Sequence, residues 1–559
     1  MDLIKKITFT LLYFFTLSFG YAQDYRYDIF SREHNTDSLL ITINQTSNDK
    51  IDQLRDSIID NFHNTGYINA YIKSKSFKDS VFTDTIHLGK QIETLKLYID
   101  NEIVSKSISK KYATEYGINY IYIPLNETQN YINEVLKELE NSGNAFATAK
   151  ISSLKFNNEK NELEGQLMID LNKKRTIDKI VLNEYNKFPQ SFTKHFLNLK
   201  IGKEYNREKL EYSSNAVKAL PFAEEIRKPE VLFTNDSTHI YLYLKKKQAN
   251  SFDGLLGFFT DEEGGLKFNG HLDLKLNNIL NKGEQLAIRW QNNGEERTEF
   301  NINVVTPYLF NSPLTLDAYL NLYKQDSTFI NIKRNIGATF TITPNNSFRL
   351  NYQAEDSNDL SSSSTSTTTE FKNKFYGIKY TYNKFDQFRP FIRKFYASIH
   401  GLWGDRTLVE QKTTESQSQY QLEFEYNLAL NYNNAIRLRN TSGVLFSDDF
   451  LVNELFRIGG TQSIRGFNEE SIFTSTYSVT NLEYHYFLDY VSNIYTISDF
   501  AITNDANTND TINLYGFGLG YVYQTKNGAI DISYAIGKTE DIPFDFRNSR
   551  VHIKLIQNF

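Results

Sequence analysis

From about residue 250 to the end of the sequence, apolar and polar residues alternate with the period of two that is typical of β-strands. In segment 420–432, one face consists only of Tyr, Leu and Phe, and the other of Gln, Glu, Asn and Ala. Segments 266–276 and 374–382 repeat this pattern. Between Phe252 and Phe559 about sixteen such segments are separated alternately by short Asn/Gly turns and by longer polar loops. The pattern predicts about sixteen antiparallel strands.

Composition indicates which kind of β-protein this is. No segment after residue 22 has the ~20 consecutive apolar residues of a membrane-spanning helix, yet the chain contains 42 Phe and 37 Tyr. Strands with one apolar face and many aromatic residues are typical of a transmembrane β-barrel, here over residues 250–559. A soluble β-sandwich also alternates, but it usually has about seven to nine strands. The even count and the alternation of short turns with long loops favour the barrel.

Residues 23–249 have a different texture, in which helical periods alternate with strands. Helices are predicted over 51–62, 128–139 and 207–220, and each is followed by two predicted strands. These strands cover 67–72 and 82–88, then 145–156 and 162–171, then 223–233 and 238–244. One element order repeated every 80 residues or so indicates an array of small α/β modules. We assign three modules, over 23–90, 91–173 and 174–249.

The N-terminus has the pattern of a secretory signal peptide. Lys5 and Lys6 precede an apolar run over 7–19, and Gly20-Tyr21-Ala22 is a small-x-small cleavage pattern, so we predict a signal peptide over 1–22 and an exported protein. An uncleaved anchor is the alternative, but the run is shorter than the ~20 residues of a spanning helix. The absence of Cys excludes disulfides, thiolate metal sites and cysteine nucleophiles. A net charge of −6 with interspersed signs argues against a nucleic-acid partner.

One motif stands out between the eleventh and twelfth predicted strands. Segment 457–467 reads Arg-Ile-Gly-Gly-Thr-Gln-Ser-Ile-Arg-Gly-Phe. It resembles the loop signature of the BamA/TamA superfamily of outer-membrane assembly and translocation proteins, the bacterial surface antigen family. In that family an (I/V)RG(F/Y) tetrad lies on the sixth extracellular loop and folds back into the barrel lumen. The α/β modules resemble the POTRA domains that precede those barrels, so the resemblance covers nearly the whole chain after residue 22. It implies a membrane β-barrel of about 16 antiparallel strands with N-terminal α/β POTRA-like periplasmic modules.

The resemblance also implies the residues of a functional site. The arginine of the tetrad pairs in this family with an acidic residue on the following strands. Segment 497–501 resembles the (F/G)xDxG motif of the thirteenth strand, which makes Asp499 the partner, although Ile497 and Ala501 depart from that pattern. Glu483, which alternates with apolar neighbours, is the second candidate. The expected luminal loop motif consists of Ser463, Ile464, Arg465, Gly466 and Phe467.

Physical chemistry favours such a pair, because an arginine drawn into a lumen needs a carboxylate to offset its lost hydration. An exposed loop arginine is the alternative interpretation. Gly516, Gly518 and Gly520 alternate on one face of a later strand, and a bare inner face would leave room for an inserted loop.

A weak lateral seam is expected where the first and last strands meet. The first strand, 252–260, contains Gly254 and Gly257, and glycine weakens strand pairing. The last strand ends at Phe559, which resembles the C-terminal signal by which barrels are recognised for insertion, although the usual glycine of that signal is missing.

The leading hypothesis is a non-enzymatic insertase resembling TamA or BamA, located in the bacterial outer membrane with its modules in the periplasm. Its expected partners are unfolded outer-membrane or secreted client polypeptides, the lipid bilayer and periplasmic accessory proteins, with no cofactor. A two-partner secretion translocator is an alternative, but it normally has two modules and a plug helix, and no such helix is predicted before the first module. A passive channel, the other alternative, would not need modules. Nine scattered His and the lack of G-x-S-x-G or H-E-x-x-H motifs argue against an enzyme.

Overall fold

The computed structural model describes residues 25–33, 36–45, 51–157, 162–260, 266–292, 297–325, 327–361, 368–388, 391–504, 510–525, 528–539 and 544–557. The predicted signal peptide, 1–22, and Phe559 lie outside these residues. The chain divides into two compact units. One comprises residues up to 175 together with 204–206, and the other comprises 176–203 and 207–559.

The first unit contains two α/β modules. The first module has a four-stranded sheet in which Tyr25–Glu33 lies between Thr36–Gln45 and Val81–His87, with Tyr71–Lys78 at the edge. Helix Ile51–Asn64 packs on this sheet and buries Ile51 and Ile58. The sequence pattern did not predict the hairpin over 25–45. The strand predicted over 67–72 begins only at Tyr71, because a backbone hydrogen bond from Ala70 to Tyr67 closes a turn there.

The second module has a five-stranded sheet with two helices. In spatial order its strands are Glu115–Tyr116, Tyr120–Pro124, Thr94–Tyr98, Glu162–Asp170 and Thr148–Asn157. A short helix, Lys106–Tyr112, was not predicted, and the longer helix Thr128–Asn141 extends the predicted one by two residues. The longer helix buries Tyr131, Ile132, Val135 and Leu139, which lie on one face at the spacing of an amphipathic helix.

The third module lies in the second unit with the barrel. Its strands Lys179–Glu184, Thr238–Lys246 and Ala223–Phe233 form a three-stranded sheet in that order, and its helices are Gln190–His195 and Arg207–Val217. Within the described part of the chain, no helix combines the length and the apolar character that crossing a bilayer requires.

The remainder of the second unit is one sheet of sixteen antiparallel strands in chain order, which confirms the predicted fold class. The strands are Ser251–Thr260, Leu266–Asn277, Gln285–Asn292, Arg297–Thr306, Leu314–Gln325, Phe329–Thr343, Asn346–Asp359, Phe371–Phe388, Phe391–Leu408, Thr414–Asn431, Asn434–Phe446, Thr476–Phe487, Ser492–Asn504, Thr511–Thr525, Gly528–Lys538 and Ser549–Gln557. They are numbered one to sixteen below.

The two faces of this sheet differ as the alternation predicts. On the tenth strand Tyr420, Leu422 and Leu428 are exposed, whereas Gln419 and Asn427 are buried. The outward face is therefore apolar and the inward face polar, which is the arrangement of a barrel that meets lipid outside and encloses a polar lumen.

The third module packs against the connections that follow the second and fourth strands, at one end of the barrel. Asn278, in the turn after the second strand, donates a 2.7 Å hydrogen bond to the Tyr185 hydroxyl. The Phe192 ring packs edge-on at 5.0 Å against Tyr308, in the turn after the fourth strand. The third module therefore lies at the end of the barrel where the second and fourth strands finish.

Candidate functional site: the luminal loop and the seam

The loop between the eleventh and twelfth strands, residues 447–475, folds into the lumen and is called the luminal loop below. A two-stranded ribbon, Phe456–Ile458 with Ile472–Thr474, forms its base. Ile464 is fully buried in a small apolar cluster formed with inward-facing residues of strands twelve to fourteen, and Phe467 packs against the same cluster. This cluster holds the tip of the loop against one side of the wall.

Two residues of the tetrad region are positioned by backbone contacts. The Ser463 carbonyl accepts a 2.8 Å hydrogen bond from the Asn481 side chain on the twelfth strand. Gly466 has a φ of +93°, and a Cβ there would lie 2.4 Å from the backbone nitrogen of Gly537 on the fifteenth strand. A side chain at this position would be both strained and blocked.

Arg465 makes four hydrogen bonds to two buried carboxylates. Its Nε and Nη2 donate to Asp499 on the thirteenth strand at 2.8 and 2.6 Å, and its backbone nitrogen donates to Asp499 at 2.9 Å. Its Nη1 donates to Glu483 on the twelfth strand at 2.6 Å. The arginine fork therefore meets one carboxylate bidentately and the other singly, which is strong, directional recognition.

The two carboxylates differ in how much support they have. Asp499 is fully buried, and Arg465 is the cation that meets it. Glu483 also accepts a hydrogen bond from His485 at 2.9 Å and lies 3.6 Å from Arg437 on the eleventh strand. Removing Arg465 therefore leaves Asp499 without its countercharge, whereas Glu483 keeps His485 and Arg437 as neighbours.

Of the three glycines on the fourteenth strand, one makes room for the loop. A Cβ at Gly516 would lie 2.2 Å from the Arg465 carbonyl oxygen. At Gly518 and Gly520 the nearest atoms belong instead to Tyr534 and Tyr495 on neighbouring strands. The prediction of space for the loop is correct for Gly516 alone.

A second set of contacts ties the luminal loop to strands four and five. Glu470, at the end of the loop, lies 2.8 Å from Arg297 on the fourth strand, and Arg297 also pairs with Glu299 at 2.5 Å. Arg457, at the base of the loop, stacks 3.5 Å above the Tyr323 ring on the fifth strand. Neither contact was predicted from the sequence.

A third set ties the start of the loop to strands nine and ten. Arg406 is almost fully buried and donates to Glu454 of the loop at 2.5 Å and to Glu415 on the tenth strand. Glu454 also accepts a 3.0 Å hydrogen bond from Gln417. Beside it Asn453 donates to the Ser357 hydroxyl on the seventh strand at 2.7 Å. The luminal loop is thus anchored on three sides of the wall.

The first and last strands form the junction that we call the seam. Within residues 251–260 and 549–557, the sheet order ends at these two strands and no ladder joins them. Gly254 and Gly257 both lie on the first strand, which pairs regularly with the second, while Phe559 lies outside the described residues. A cavity of about 1200 Å³ is lined by first-strand residues such as Asp253, last-strand residues such as His552, and Arg465. The lumen is therefore continuous with the seam.

The site has no metal-binding character among the described residues, since no group of three His, Asp or Glu side chains could hold an ion. Its chemistry consists of ion pairs, hydrogen bonds and unpaired strand edges. Such a site can hold a loop, guide a polypeptide or offer an edge for strand pairing.

No family model matches the sequence, and no curated protein is similar to it. CdiB from Acinetobacter baumannii is similar in structure over 91% of this chain and 97% of its own, with 15% identity and a TM-score of 0.52. CdiB from Escherichia coli is similar over 91% and 98%, with 11% identity and a TM-score of 0.51. BamA from Haemophilus ducreyi lacking POTRA domains 1-3 is aligned over 82% and 97%, with 14% identity and a TM-score of 0.41. The likeness to the two CdiB structures shows a shared fold, which is a sixteen-stranded antiparallel β-barrel preceded by α/β modules.

Proposed function

We propose that this chain is a non-enzymatic assembly factor of the bacterial outer membrane. Its periplasmic modules receive unfolded client polypeptides, and its barrel opens at the seam so that a client strand can pair with an exposed edge. The observation that carries the proposal is the unpaired junction between the first and last strands, which opens onto the luminal cavity. An unpaired strand edge is a ready template for β-augmentation.

The anchoring of the luminal loop supports lateral over luminal passage. A client that left through the extracellular mouth would have to displace a loop held by Arg465, Arg406 and Arg297 on three sides of the wall. In the described residues no hydrogen-bonded ladder joins the first and last strands, so a client strand that enters at the seam has no such ladder to break. The easier route leads into the membrane.

A two-partner secretion translocator is the second candidate function. The likeness of the whole fold to CdiB favours it, whereas the third α/β sheet exceeds the two modules expected of that class. The two candidates differ in where the client leaves the barrel, so one experiment can separate them.

The test is a reversible lock of the seam. The chain has no Cys, so cysteine pairs can be scanned with one partner in 255–259 and the other in 553–557, because a disulfide needs Cα atoms within about 4.4–6.8 Å. We expect at least one pair to oxidise in the membrane and to block insertion of a barrel client, and we expect reductant to restore insertion.

The matched control is a disulfide between the first and second strands, for example Leu255→Cys with His271→Cys, which are already paired in register. It should leave insertion intact. Full insertion activity with a locked seam would refute lateral opening. If the locked barrel instead still exported a secreted client, the translocator would take precedence.

A further inference from the structure

The residues that directly follow the tetrad reach both sides of the seam. Asn468 Oδ1 accepts a 2.9 Å hydrogen bond from Arg550 Nε on the sixteenth strand. Two residues later the Glu470 carboxylate lies 2.8 Å from Arg297 on the fourth strand. We call residues 468–470 the strap.

The two strands that the strap contacts are far apart around the wall. From the sixteenth strand to the fourth there are four strand-to-strand steps across the seam, or ~19 Å along a closed sheet at ~4.8 Å per step. One of these steps, the seam itself, lacks a ladder in the described residues. The strap therefore crosses, from the inside, the part of the wall that has the weakest backbone pairing.

We propose that the strap sets the width of the seam by tying the closing strand to the fourth strand through Asn468 and Glu470. The proposal rests on the proposed function only in naming the seam as the place where clients pass. It assigns a role to Asn468, Glu470 and Arg550 that the tetrad and its carboxylate partners do not fill.

The two ends of the strap differ in strength. Glu470 meets Arg297 as an ion pair in which the Arg297 side chain is only 11% exposed, and Arg457 approaches the same carboxylate at 3.7 Å. Asn468 is neutral and exposed, and it makes one hydrogen bond to Arg550. The Asn468 end should therefore release first, while the strap stays with the fourth strand.

The backbone of the strap is held in a conformation that is unfavourable for its residue type. Glu470 has a φ of +51°, in the left-handed region that non-glycine residues rarely occupy. Such a conformation persists only where the surrounding contacts impose it, and these conformations cluster at switch regions and clamps. The ion pair with Arg297 is one contact that imposes it.

The experiment measures the seam directly in the full chain reconstituted in lipid vesicles, without a client. Spin labels are placed on Leu256→Cys in the first strand and Ile553→Cys in the last, whose side chains are each 65% exposed and lie on the outward face of their strands. Pulsed electron–electron double resonance then gives the distribution of distances between the two spin labels across the seam. A second label pair, Ile336→Cys and Ile399→Cys, reports on the wall away from the seam.

Two substitutions at one position should move the seam in opposite directions. Asn468→Ala removes the hydrogen bond to Arg550 and should raise the ratio of long to short seam distances about tenfold, as expected for loss of one charge-assisted hydrogen bond. Asn468→Asp converts the contact into an ion pair and should narrow the distribution. Arg550→Ala tests the same contact from the strand side and should act like Asn468→Ala.

The matched control is Arg547→Ala, which removes an exposed arginine near the start of the same strand that pairs only locally with Asp545. It should leave the seam distances unchanged, and all variants should leave the Ile336/Ile399 distances unchanged. If Asn468→Ala and Arg550→Ala both keep the parental seam distribution, the strap does not hold the seam. If the seam widens as expected but the disulfide lock leaves client insertion intact, the proposed role of the strap is supported and the proposed lateral insertion is refuted.

Discussion

Replacing Arg465 with alanine should release the luminal loop while leaving the barrel folded. The substitution removes the guanidinium and leaves Asp499, which is fully buried, without its countercharge. Removing one partner of a buried ion pair costs about 3–5 kcal/mol. If this cost falls on the docked loop, its undocked fraction rises roughly a hundredfold to a few thousandfold, since ~1.4 kcal/mol is a factor of ten.

The measurement is cleavage of the luminal loop by a glutamate-specific protease in vesicles, together with a denaturant unfolding curve. The loop offers Glu454, Glu469 and Glu470 as cleavage sites. We expect Arg465→Ala to be cleaved far faster than the parent and to unfold at a lower denaturant concentration. Parental cleavage and an unchanged unfolding midpoint would refute the reasoning, because the pair would then contribute nothing to docking.

Combined substitutions identify the partner. Asp499→Asn in the Arg465→Ala background removes the unpaired charge, so the double variant should lose less than the sum of the single variants, by about 0.5–3 kcal/mol. A charge swap, Arg465→Asp with Asp499→Arg, should recover only part of the loss. The carboxylate introduced on the loop would face Glu483, which lies 2.6 Å from the present arginine, and adding Glu483→Gln should improve recovery.

Three further predictions concern the modules. Residues 23–175 alone should be soluble and unfold cooperatively by circular dichroism, because the apolar residues of their two modules pack into cores of their own; aggregation or noncooperative melting would contradict this. In that fragment Arg55→Ala should lower the free energy of unfolding, measured in urea, by about 3–5 kcal/mol, because it leaves the fully buried Asp84 carboxylate without its cation. A change below about 1 kcal/mol would contradict the buried pair. Burial raises the pKa of Glu225 against an opposing hydrogen bond from Ser214, so the stability that it contributes is present below its unfolded pKa and is lost as pH rises through the folded one. In the full chain Glu225→Gln should therefore stabilise at pH 7 and have little effect at pH 4, and equal effects in urea melts at both pH values would refute the shift.

The barrel could be predicted from the sequence because alternation is a local property with a fixed period. Each strand is recognisable from its own alternation of apolar and polar residues, as in segment 420–432. The count of sixteen follows because that alternation recurs in segment after segment. The place of the tetrad between the eleventh and twelfth strands followed from that count. The hairpin over 25–45 was missed because the repeat was recognised from a helix and the two strands after it, and both strands of the hairpin precede that helix.

The second and third anchors of the loop could not be predicted in the same way. Arg406 and Glu454 are 48 residues apart, and Arg297 and Glu470 are 173 residues apart. A single charge on the inward face of a strand is ordinary in a polar lumen. Nothing local in the sequence distinguishes a charge that pairs with the loop from one that meets water, so only the closed sheet brings these pairs together.

The relative strength of these contacts decides which part of the barrel yields first. Pulling the luminal loop out would break at least five charge-assisted hydrogen bonds, four at Arg465 and one at Arg406–Glu454, and also the ion pair between Arg297 and Glu470. At about 1.5–3 kcal/mol each, the five hydrogen bonds alone cost roughly 7.5 kcal/mol or more. Among the described contacts of the strap, opening the seam breaks the hydrogen bond between Asn468 and Arg550, about 1.5–3 kcal/mol, and in the described residues no ladder joins the first and last strands. The loop should therefore stay docked while the seam opens, which makes it the fixed inner support against which the wall moves.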